Sequence, residues 1–270
     1  MLKKRLIFTL LYDEGNFMLS RNFRLQKVGD YEWLKTNYDF SKISFEIDEL
    51  IILDVTRNNR DSNKFCSTLS DLSETCFIPY SVGGGIRTVE DAKKLINAGA
   101  DKIVLNTSLV KNVELVDELS KLYGEQCLVA SVDLKFGIDG KYKVVIESGT
   151  EEVDGEAQNV LIQILDLPIG EIMLNSIDKD GTGQGLDMEL LTLLPNKISK
   201  PLILTGGVGN ASHLAVGLGG AKVDAVNTAN LFNFVGDGLR KARMQLISGG
   251  HNSPHWDSQL ASELQNCFAI

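Results

Sequence analysis

Eight short runs of β-branched and other apolar residues recur along the chain, separated by longer stretches with the spacing of amphipathic helices. The runs predicted as strands are Arg5–Leu11, Glu49–Val55, Ile78–Val82, Lys102–Asn106, Cys127–Asp133, Glu171–Asn175, Pro201–Thr205 and Asp224–Thr228. Strands that alternate with helices form βαβ units around a parallel sheet. Eight units in about 240 residues favour an α/β fold, a single (β/α)8 TIM barrel. A doubly wound open sheet stays possible, because the number of strands does not by itself close a barrel.

A repeat relates the two halves of the chain. PYSVGGGIRT and the later ADKIVLNTSL match PLILTGGVGN and the later VDAVNTANLF. Gly84 matches Gly206 at an offset of 206 − 84 = 122, and Glu49 matches Glu171 at 171 − 49 = 122. Two landmarks that share one offset indicate two fused half-barrels. We therefore expect one barrel over residues 1–248 and a C-terminal extension over residues 249–270.

Composition excludes several classes of partner. The chain has 27 basic and 36 acidic residues and a net charge of −9, which argues against a nucleic-acid-binding surface. It contains no apolar stretch long enough to predict a membrane span. Its four cysteines show no C-x-x-C spacing and no histidine at metal-binding distance, so we expect reduced thiols, a cytoplasmic protein, and neither a metal nor a cofactor.

Each half carries a strand that ends in a glycine pair and a following strand that ends in small or polar residues. Glycines after barrel strands let backbone amides approach an anion, and the next helix adds its N-terminal dipole. Two such motifs related by the repeat predict two phosphate pockets on opposite sides of the barrel mouth, although glycines also serve in tight turns. The predicted phosphate-binding residues are Gly84, Gly85, Asn106 and Thr107 in the first half, and Gly206, Gly207, Ala229 and Asn230 in the second.

Several blocks resemble the cyclase subunit of imidazole glycerol phosphate synthase, the HisF family. They are KRLIF, DELIILDVT, VGGGIRTVEDA, GADKIVLNTSLVKN, VASVDLK, GEIMLNSIDKDGTGQGLD and GGVGNASH, and the similarity covers residues 1–247. The resemblance implies a glutaminase partner at the N-terminal face of the barrel. Ammonia would then pass through the barrel to a phosphorylated substrate at the C-terminal face. It also adds Asp180 and Gly181 to the phosphate-binding set.

Four charged residues begin predicted strands, and strand starts lie at the lower end of a barrel. They are Arg5, Glu49, Lys102 and Glu171. Two cations and two anions at this end would be costly to bury unless they pair with one another. They could instead be four solvated surface charges. The resemblance implies that they form the ammonia gate, and it places Asp101 and Gln126 at or near the partner interface.

The opposite end of the barrel departs from the family. Members use two aspartates, at the ends of the first and fifth strands, as general acid and base. The fifth-strand aspartate is present as Asp133, but the repeat places Leu11 at the first-strand position, since 133 − 122 = 11. Leucine cannot transfer a proton, and general acid–base catalysis contributes typically about 10²–10⁴-fold. Asp13 lies two positions further on, and we expect residues 13–30 to form a loop that orders when ligand binds.

The resemblance, together with Leu11 at the first-strand position, implies a HisF-like paralogue that delivers ammonia to a phosphorylated substrate, for amidation of a surface-polysaccharide sugar. Such paralogues resemble the ammonia-delivering half of a glutamine-dependent system. Two alternatives stay open. One is an authentic cyclase of histidine biosynthesis whose base has moved, for example to Asp13. The other is a non-catalytic subunit that activates a glutaminase and holds a phosphorylated effector.

Overall fold

A computed structural model describes residues 3–43, 45–74 and 76–255. The strands in this part of the chain are β1 (Arg5–Asp13), β2 (Asn16–Arg21), β3 (Arg24–Gly29), β4 (Glu49–Asp54), β5 (Tyr80–Gly83), β6 (Lys102–Leu105), β7 (Leu128–Phe136), β8 (Tyr142–Ile146), β9 (Glu151–Glu152), β10 (Glu171–Ser176), β11 (Leu202–Thr205) and β12 (Ala225–Thr228). The helices are α1 (Tyr31–Asn37), α2 (Phe40–Ile43), α3 (Ser62–Ser73), α4 (Val89–Asn97), α5 (Ser108–Lys111), α6 (Val113–Tyr123), α7 (Ala157–Leu165), α8 (Ala211–Gly219) and α9 (Gly238–Ser248).

Eight parallel strands close into a barrel. Their order is β1, β4, β5, β6, β7, β10, β11 and β12, and β12 returns to pair with β1. All eight predicted strands are therefore confirmed, with ends that differ by at most two residues except at the carboxyl end of β7, which extends three residues further. The (β/α)8 TIM barrel is the fold, and the open sheet is excluded by the β12–β1 and β7–β10 pairings. Between β10 and β11 the described connection is a 3₁₀ helix, Met188–Leu193, where an α-helix would be regular.

Local signals in the sequence explain where the outer helices begin. Thr88 and Asp91 form a reciprocal capping box at the start of α4. Asn112 caps α6 through its side chain, and Ala92 and Leu95 of α4 are buried against the barrel. The outer helices therefore bury one apolar face against the barrel strands. The buried side chains of helices and strands together form the large hydrophobic core of the molecule.

The predicted repeat is present in the strand register. Leu11 of β1 is paired with Leu53 of β4, and Asp133 of β7 is paired with Asn175 of β10. Both pairs obey the same offset, 133 − 11 = 122 and 175 − 53 = 122. Leu11 and Asp133 are therefore equivalent positions of two half-barrels in three dimensions as well as in sequence.

The interior of the barrel is layered. Charged side chains lie at the amino-terminal ends of the strands, and a separate apolar cluster fills the middle. Its buried members are Ile7, Ile51, Val104, Val129, Met173, Ile203 and Ala225. Above it, Asn227 accepts a hydrogen bond from Thr9 (2.9 Å) and donates one to Thr205 (3.0 Å). Because side chains alternate along a strand, every second residue faces this interior.

Residues 13–30 differ from the prediction of a loop. β1 continues to Asp13, which pairs with Asn16 of the antiparallel strand β2. β2 in turn forms an antiparallel hairpin with β3. β7 likewise continues beyond Asp133 and pairs with β8. The two equivalent strands therefore both extend above the barrel as ribbons.

The carboxyl-terminal end of the described chain returns to the bottom of the barrel. The Lys4 amide donates to the Asn252 carbonyl over 2.8 Å, so residues around 252 lie beside the start of β1. Most of the predicted extension over 249–270, including Cys267, lies outside the described residues. None of the described helices has the length and apolar character that crossing a membrane requires.

Arg243 of α9 joins this helix to the barrel and to the returning chain. Its Nη2 lies 2.8 Å from Asp48 Oδ2, its Nε donates to the Glu46 carbonyl, and its Nη1 donates to the Pro254 carbonyl. Both side chains of the ion pair are almost fully buried. Removal of one partner would leave a buried charge without its counterion.

We expect Arg243→Met to lower the free energy of unfolding by about 3 kcal/mol, because the Asp48 carboxylate stays buried without its cation. Urea denaturation measures this loss. Arg240→Met is the matched control, since Arg240 is exposed on the same helix and its substitution should change little. Equal stability of the two variants would contradict a structural role for the ion pair.

Candidate active site

A large cavity opens at the carboxyl-terminal ends of the barrel strands. It contains about 1310 Å³ of space including its open mouth. Residues from all eight barrel strands or from the segments that follow them line it, with Thr9, Met173, Thr205 and Asn227 at its base. Active sites of TIM barrels lie at this end.

Asp133 is the most strongly perturbed carboxyl group of the cavity. It is buried, and its two oxygens accept hydrogen bonds from Asn175 Nδ2 (2.8 Å) and Asn106 Nδ2 (2.9 Å). Burial raises the pKa of Asp133 to about 7, although both amide hydrogen bonds act in the opposite direction. A group with a pKa near neutrality can accept and return a proton, which suits a general base.

Leu11 lies across the cavity from Asp133, where the repeat predicts it. The other carboxylates that line the described cavity are Asp54, Glu147 and Asp180, and each has a partner. Asp54 Oδ2 lies 2.8 Å from Arg60 Nε, and Glu147 pairs with Arg87 at 3.2 Å. Asp180 Oδ2 accepts hydrogen bonds from the Ser20 hydroxyl and the Phe23 amide. Asp13 is not among the lining residues, so the structure gives no support to a base that has moved there.

The predicted phosphate-binding residues divide into two groups. Those that line the cavity are Gly84, Gly85, Asn106, Thr107, Asp180 and Ala229; those outside its lining are Gly181, Gly206, Gly207 and Asn230. The glycine pairs have positive φ angles that favour glycine, +113° and +67° at Gly84 and Gly85 and +95° at both Gly206 and Gly207. A Cβ on Gly84 would lie 2.2 Å from the Asp54 carbonyl oxygen, so only glycine fits there.

Three of these side chains have structural partners that sequence reasoning did not identify. The amide of Asn106 holds Asp133, and the hydroxyl of Thr107 accepts a hydrogen bond from the Glu147 amide. Asp180 holds the β2–β3 hairpin. These contacts join loops from different strands, and such pairings depend on the fold rather than on local spacing.

Sequence reasoning also missed the cations of the cavity. Arg57 and Arg60 follow β4, Arg87 follows β5, and all three line the cavity. The signal was the presence of two arginines within the short connection between β4 and α3.

At the opposite end of the barrel, the four charged residues form one connected cluster, which we call the charged cluster (Arg5, Glu49, Lys102 and Glu171). Arg5 contacts Glu49 at 3.0 Å and Glu171 at 2.7 Å, and Lys102 contacts the same two carboxylates at 3.0 Å and 2.8 Å. Exposed fractions of the four side chains run from 2% for Glu49 to 22% for Arg5. Four solvated surface charges are therefore excluded.

The mutual pairing favours the charged forms of Arg5, Lys102 and Glu171. Burial alone would lower the pKa of Arg5 and Lys102, but their carboxylate partners outweigh it and raise both. Burial would raise the pKa of Glu171, but the hydrogen bond and charge of Arg5, together with Lys102, lower it. The Ser81 hydroxyl donates to the second oxygen of Glu49. Each buried charge thus has compensating partners.

Asp101 and Gln126, predicted near a partner interface, are both exposed and precede β6 and β7. They therefore lie on the same amino-terminal face as the charged cluster. Asp101 also accepts a hydrogen bond from the Tyr80 amide over 2.8 Å. Within the described residues, no group of three His, Cys, Asp or Glu side chains is placed to bind a metal ion.

Comparisons with known proteins identify the family. The model of the family described as histidine biosynthesis protein matches residues 38–235, more than half of the chain. A protein of Parasynechococcus marenigrum named "putative imidazole glycerol phosphate synthase subunit hisF2" is 50% identical over 245 residues, which cover 91% of each chain. The imidazole glycerol phosphate synthase subunit HisF of Streptococcus gordonii is 37% identical over 217 residues, which cover 79% of this chain and 84% of that one.

The chain belongs to this family and is HisF-like. The resemblance noted in its sequence blocks is thereby confirmed at the level of the family, and both relatives are named as subunits of a synthase. The geometry adds that the HisF-like barrel has a paired charged cluster at one end and, at the other, Asp133 with a pKa raised to about 7 opposite Leu11.

The raised pKa of Asp133 predicts a pH-dependent contribution to stability. The folded chain holds a proton at Asp133 up to about pH 7, whereas the unfolded chain releases it near the ordinary value of 3.8. This contribution is therefore present below the unfolded pKa and is lost as the pH rises through the folded one. Relative to Asp133→Asn, the wild type should lose about 2 kcal/mol of unfolding free energy between about pH 5 and pH 8.

Urea denaturation of the two proteins at both pH values measures this difference. The exposed Asp154→Asn variant serves as a control and should follow the wild type. A constant difference between wild type and Asp133→Asn across the range would show that Asp133 is ionised throughout.

Proposed function

We propose that this HisF-like chain accepts ammonia from a glutaminase partner at the amino-terminal face of the barrel. It delivers the ammonia through the barrel to a phosphorylated acceptor in the cavity, for amidation of a surface-polysaccharide sugar. The observation that carries the proposal is the combination of a complete charged cluster at one end with Leu11 opposite Asp133 at the other.

The interior of the barrel favours neutral ammonia over other small solutes. Beyond the charged cluster, a molecule meets the apolar layer that contains Ile7, Val129 and Met173, and then the polar groups of Thr9 and Asn227. Transfer of an ammonium ion into an apolar layer is costly, whereas neutral ammonia loses far less hydration. The charged cluster supports a role as the ammonia gate, because a change in its ion pairs would open the lower end of the barrel.

The same argument supports a position for the proposed partner. A glutaminase that supplies ammonia must cover the end where ammonia enters, so that the molecule does not escape to solvent. Asp101 and Gln126 are exposed at this end and are the residues we propose at the interface.

At the cavity, Asp133 supplies one proton-transfer group. The nitrogen of ammonia forms a bond to an electrophilic carbon of the acceptor, and the leaving group departs with the electrons of the bond it breaks. A proton of the resulting ammonium-like nitrogen passes to the Asp133 carboxylate. The hydrogen bonds from Asn106 and Asn175 hold both carboxylate oxygens in place. A single base is sufficient for this step, whereas paired acid–base chemistry would also need a carboxyl group at residue 11.

The phosphate groups of the acceptor are proposed to bind at the two glycine-pair pockets. Backbone amides beside Gly84, Gly85, Gly206 and Gly207 can donate to an anion without adding charge, which agrees with the net charge of −9. A cyclase of histidine biosynthesis is the second candidate, favoured by the 37% identity with the Streptococcus gordonii HisF subunit and by the retained Asp133.

Substitution of the charged cluster tests delivery. In complex with a glutaminase subunit, Lys102→Ala should keep glutamine hydrolysis but reduce the share of ammonia that reaches the acceptor, because the ion pairs with Glu49 and Glu171 are lost. The ratio of glutamate formed to amidated product measures the coupling. Lys197→Ala, an exposed lysine near the start of β11, is the control. Unchanged coupling in Lys102→Ala would remove the charged cluster from the delivery path.

Restoring the missing carboxyl group tests the assignment of the chemistry. With added ammonium salt and the bisphosphorylated ribotide of imidazole glycerol phosphate synthase, Leu11→Asp should raise the rate of imidazole glycerol phosphate formation by about 10²-fold or more. Leu11→Asn is the matched control, because asparagine is polar and similar in size to aspartate but does not transfer a proton. An ordinary cyclase rate in the unaltered chain would instead establish the second candidate.

A further inference from the structure

The base of the cavity carries three buried polar side chains on neighbouring strands. Asn227 of β12 lies between Thr9 of β1 and Thr205 of β11, and all three residues line the cavity. Their exposed fractions are 2% for Asn227, 3% for Thr9 and 8% for Thr205. Burial of a polar group is costly unless the group is hydrogen-bonded, so the donors and acceptors that these side chains have left over are informative.

The Asn227 amide fixes the direction of the hydrogen bonds on both of its sides. Its Oδ1 can only accept, so the Thr9 hydroxyl donates its one hydrogen to this oxygen over 2.9 Å. Its Nδ2 can only donate, so the Thr205 oxygen accepts a hydrogen bond over 3.0 Å. The same Nδ2 faces the Met173 sulfur, a weak acceptor, at 3.9 Å, which agrees with this orientation of the amide.

The two threonines are thereby left with opposite hydrogen-bonding capacities. The Thr9 oxygen has used its hydrogen and can only accept a further bond, whereas Thr205 keeps its hydroxyl hydrogen and can donate it. Among the hydrogen bonds of the described chain, no other group donates to the Thr9 hydroxyl or accepts from the Thr205 hydroxyl. The base of the cavity therefore presents one acceptor and one donor, on either side of Asn227.

This polar level lies between the apolar layer of the barrel and Asp133. On each of the three strands, the residue two positions earlier belongs to the apolar cluster; these residues are Ile7, Ile203 and Ala225. On the other side, Thr205 is paired in register with Asn175, whose amide donates to Asp133 over 2.8 Å. Two residues of a strand span about 7 Å. A small molecule that leaves the apolar layer therefore meets the two threonines before it reaches Asp133.

The leftover donor and acceptor decide which small molecule fits. A ligand that satisfies both threonines must carry a lone pair and a hydrogen on the same atom. Neutral ammonia carries both, so it can accept from Thr205 and donate to Thr9. An ammonium ion, like the lysine ammonium group, has donors only and would leave the Thr205 hydrogen without an acceptor. Water has the same capacities as ammonia and is the competing occupant.

We propose that Thr9, Thr205 and Asn227 form a binding site for neutral ammonia at the base of the cavity. Thr205 donates to the ammonia nitrogen, Thr9 accepts from it, and Asn227 is the positioning residue that assigns these two roles. The site holds ammonia after the apolar layer and before the acceptor beside Asp133. This inference rests on the proposed function in one respect, namely that ammonia reaches the cavity, and it adds a site that selects the neutral form.

Titration of the full chain with ammonium chloride, followed by NMR of the threonine methyl groups, tests the site without a glutaminase or an acceptor. Above the pKa of the ammonium ion, where neutral ammonia predominates, the methyl signals of Thr9 and Thr205 should shift and saturate. Well below that pKa, the same total concentration should leave both signals in place. The methyl group of Thr192, which is exposed and outside the cavity lining, is the internal reference.

Other charged groups of the cavity are held constant in this comparison. Both pH values are kept above the pKa of Asp133, which is about 7, so that this carboxylate does not change its charge between them. The remaining carboxylates of the cavity lining are Asp54, Glu147 and Asp180, and its cations are Arg57, Arg60 and Arg87. Potassium chloride at equal ionic strength, measured at each pH, accounts for any response of these groups to salt.

Two variants separate the site from a purely structural role of Asn227. Asn227→Leu removes both hydrogen bonds at similar volume and should weaken the response to ammonia about tenfold, because neither threonine keeps a fixed role. Thr205→Val keeps the shape of the side chain but removes the donor, and it should weaken the response of the Thr9 methyl group even if Asn227→Leu is unstable. Thr192→Val is the matched control and should titrate as the wild type does.

Three results would overturn the proposal. A response no larger than that to potassium chloride would mean that water alone occupies the site. Equal shifts at the two pH values would mean that the site does not select neutral ammonia. A saturable response that both Asn227→Leu and Thr205→Val leave intact would mean that ammonia binds elsewhere.

The titration and the coupling test of the charged cluster can fail separately. A chain that couples glutamine hydrolysis to product formation, but whose threonine signals do not respond to ammonia, would overturn this inference alone. Saturable binding of ammonia together with unchanged coupling in Lys102→Ala would leave the site standing and remove the charged cluster from the delivery path.

Discussion

The strand register of the closed barrel is the constraint on which the rest of the structure depends. Every second residue of a strand faces the interior, and the eight parallel strands fix the height of each of these residues. Glu49 and Glu171 thereby meet Arg5 and Lys102 at one end, while Leu11 and Asp133 lie at the other. A shift of one residue in β1 would exchange its interior and exterior side chains and would remove Arg5 and Leu11 from these positions together.

Burial has opposite consequences at the two ends of the barrel. In the charged cluster, each ionised group faces opposite charges within 2.7–3.0 Å, so ionisation is maintained despite the loss of hydration. Asp133 has no cation among its described partners and receives only two neutral amide hydrogen bonds, so burial raises its pKa to about 7. Burial is therefore offset by mutual pairing in the charged cluster, whereas at the cavity it raises the pKa of a carboxyl group that has no cationic partner in the described chain.

The parts of the structure that follow from periodicity and repetition could be predicted from the sequence. The eight strands, the 122-residue offset and the position of Leu11 opposite Asp133 all depend on local pattern or internal comparison. The hairpin of β2 and β3 could not be recognised, because its residues alternate weakly and its position is set by the contacts of Ser20 and Phe23 with Asp180. The role of Asn106 as a partner of Asp133 and the position of Arg60 beside Gly85 depend on contacts between separate loops, which spacing along the chain does not encode.

The two half-barrels have kept the same backbone and changed their side chains at the mouth unequally. The second half retains a polar pair, Asp133 and Asn175, where the first half has Leu11 and Leu53. The first half instead carries Arg57 and Arg60 in the connection that follows β4. A symmetric ligand would gain nothing from this difference, because its two ends would make equivalent contacts. The side of the cavity without a proton-transfer group is the side with the cations. Under the proposed function, this separation would favour one direction for an asymmetric acceptor, with its most charged end at the arginines and its reacting carbon toward Asp133.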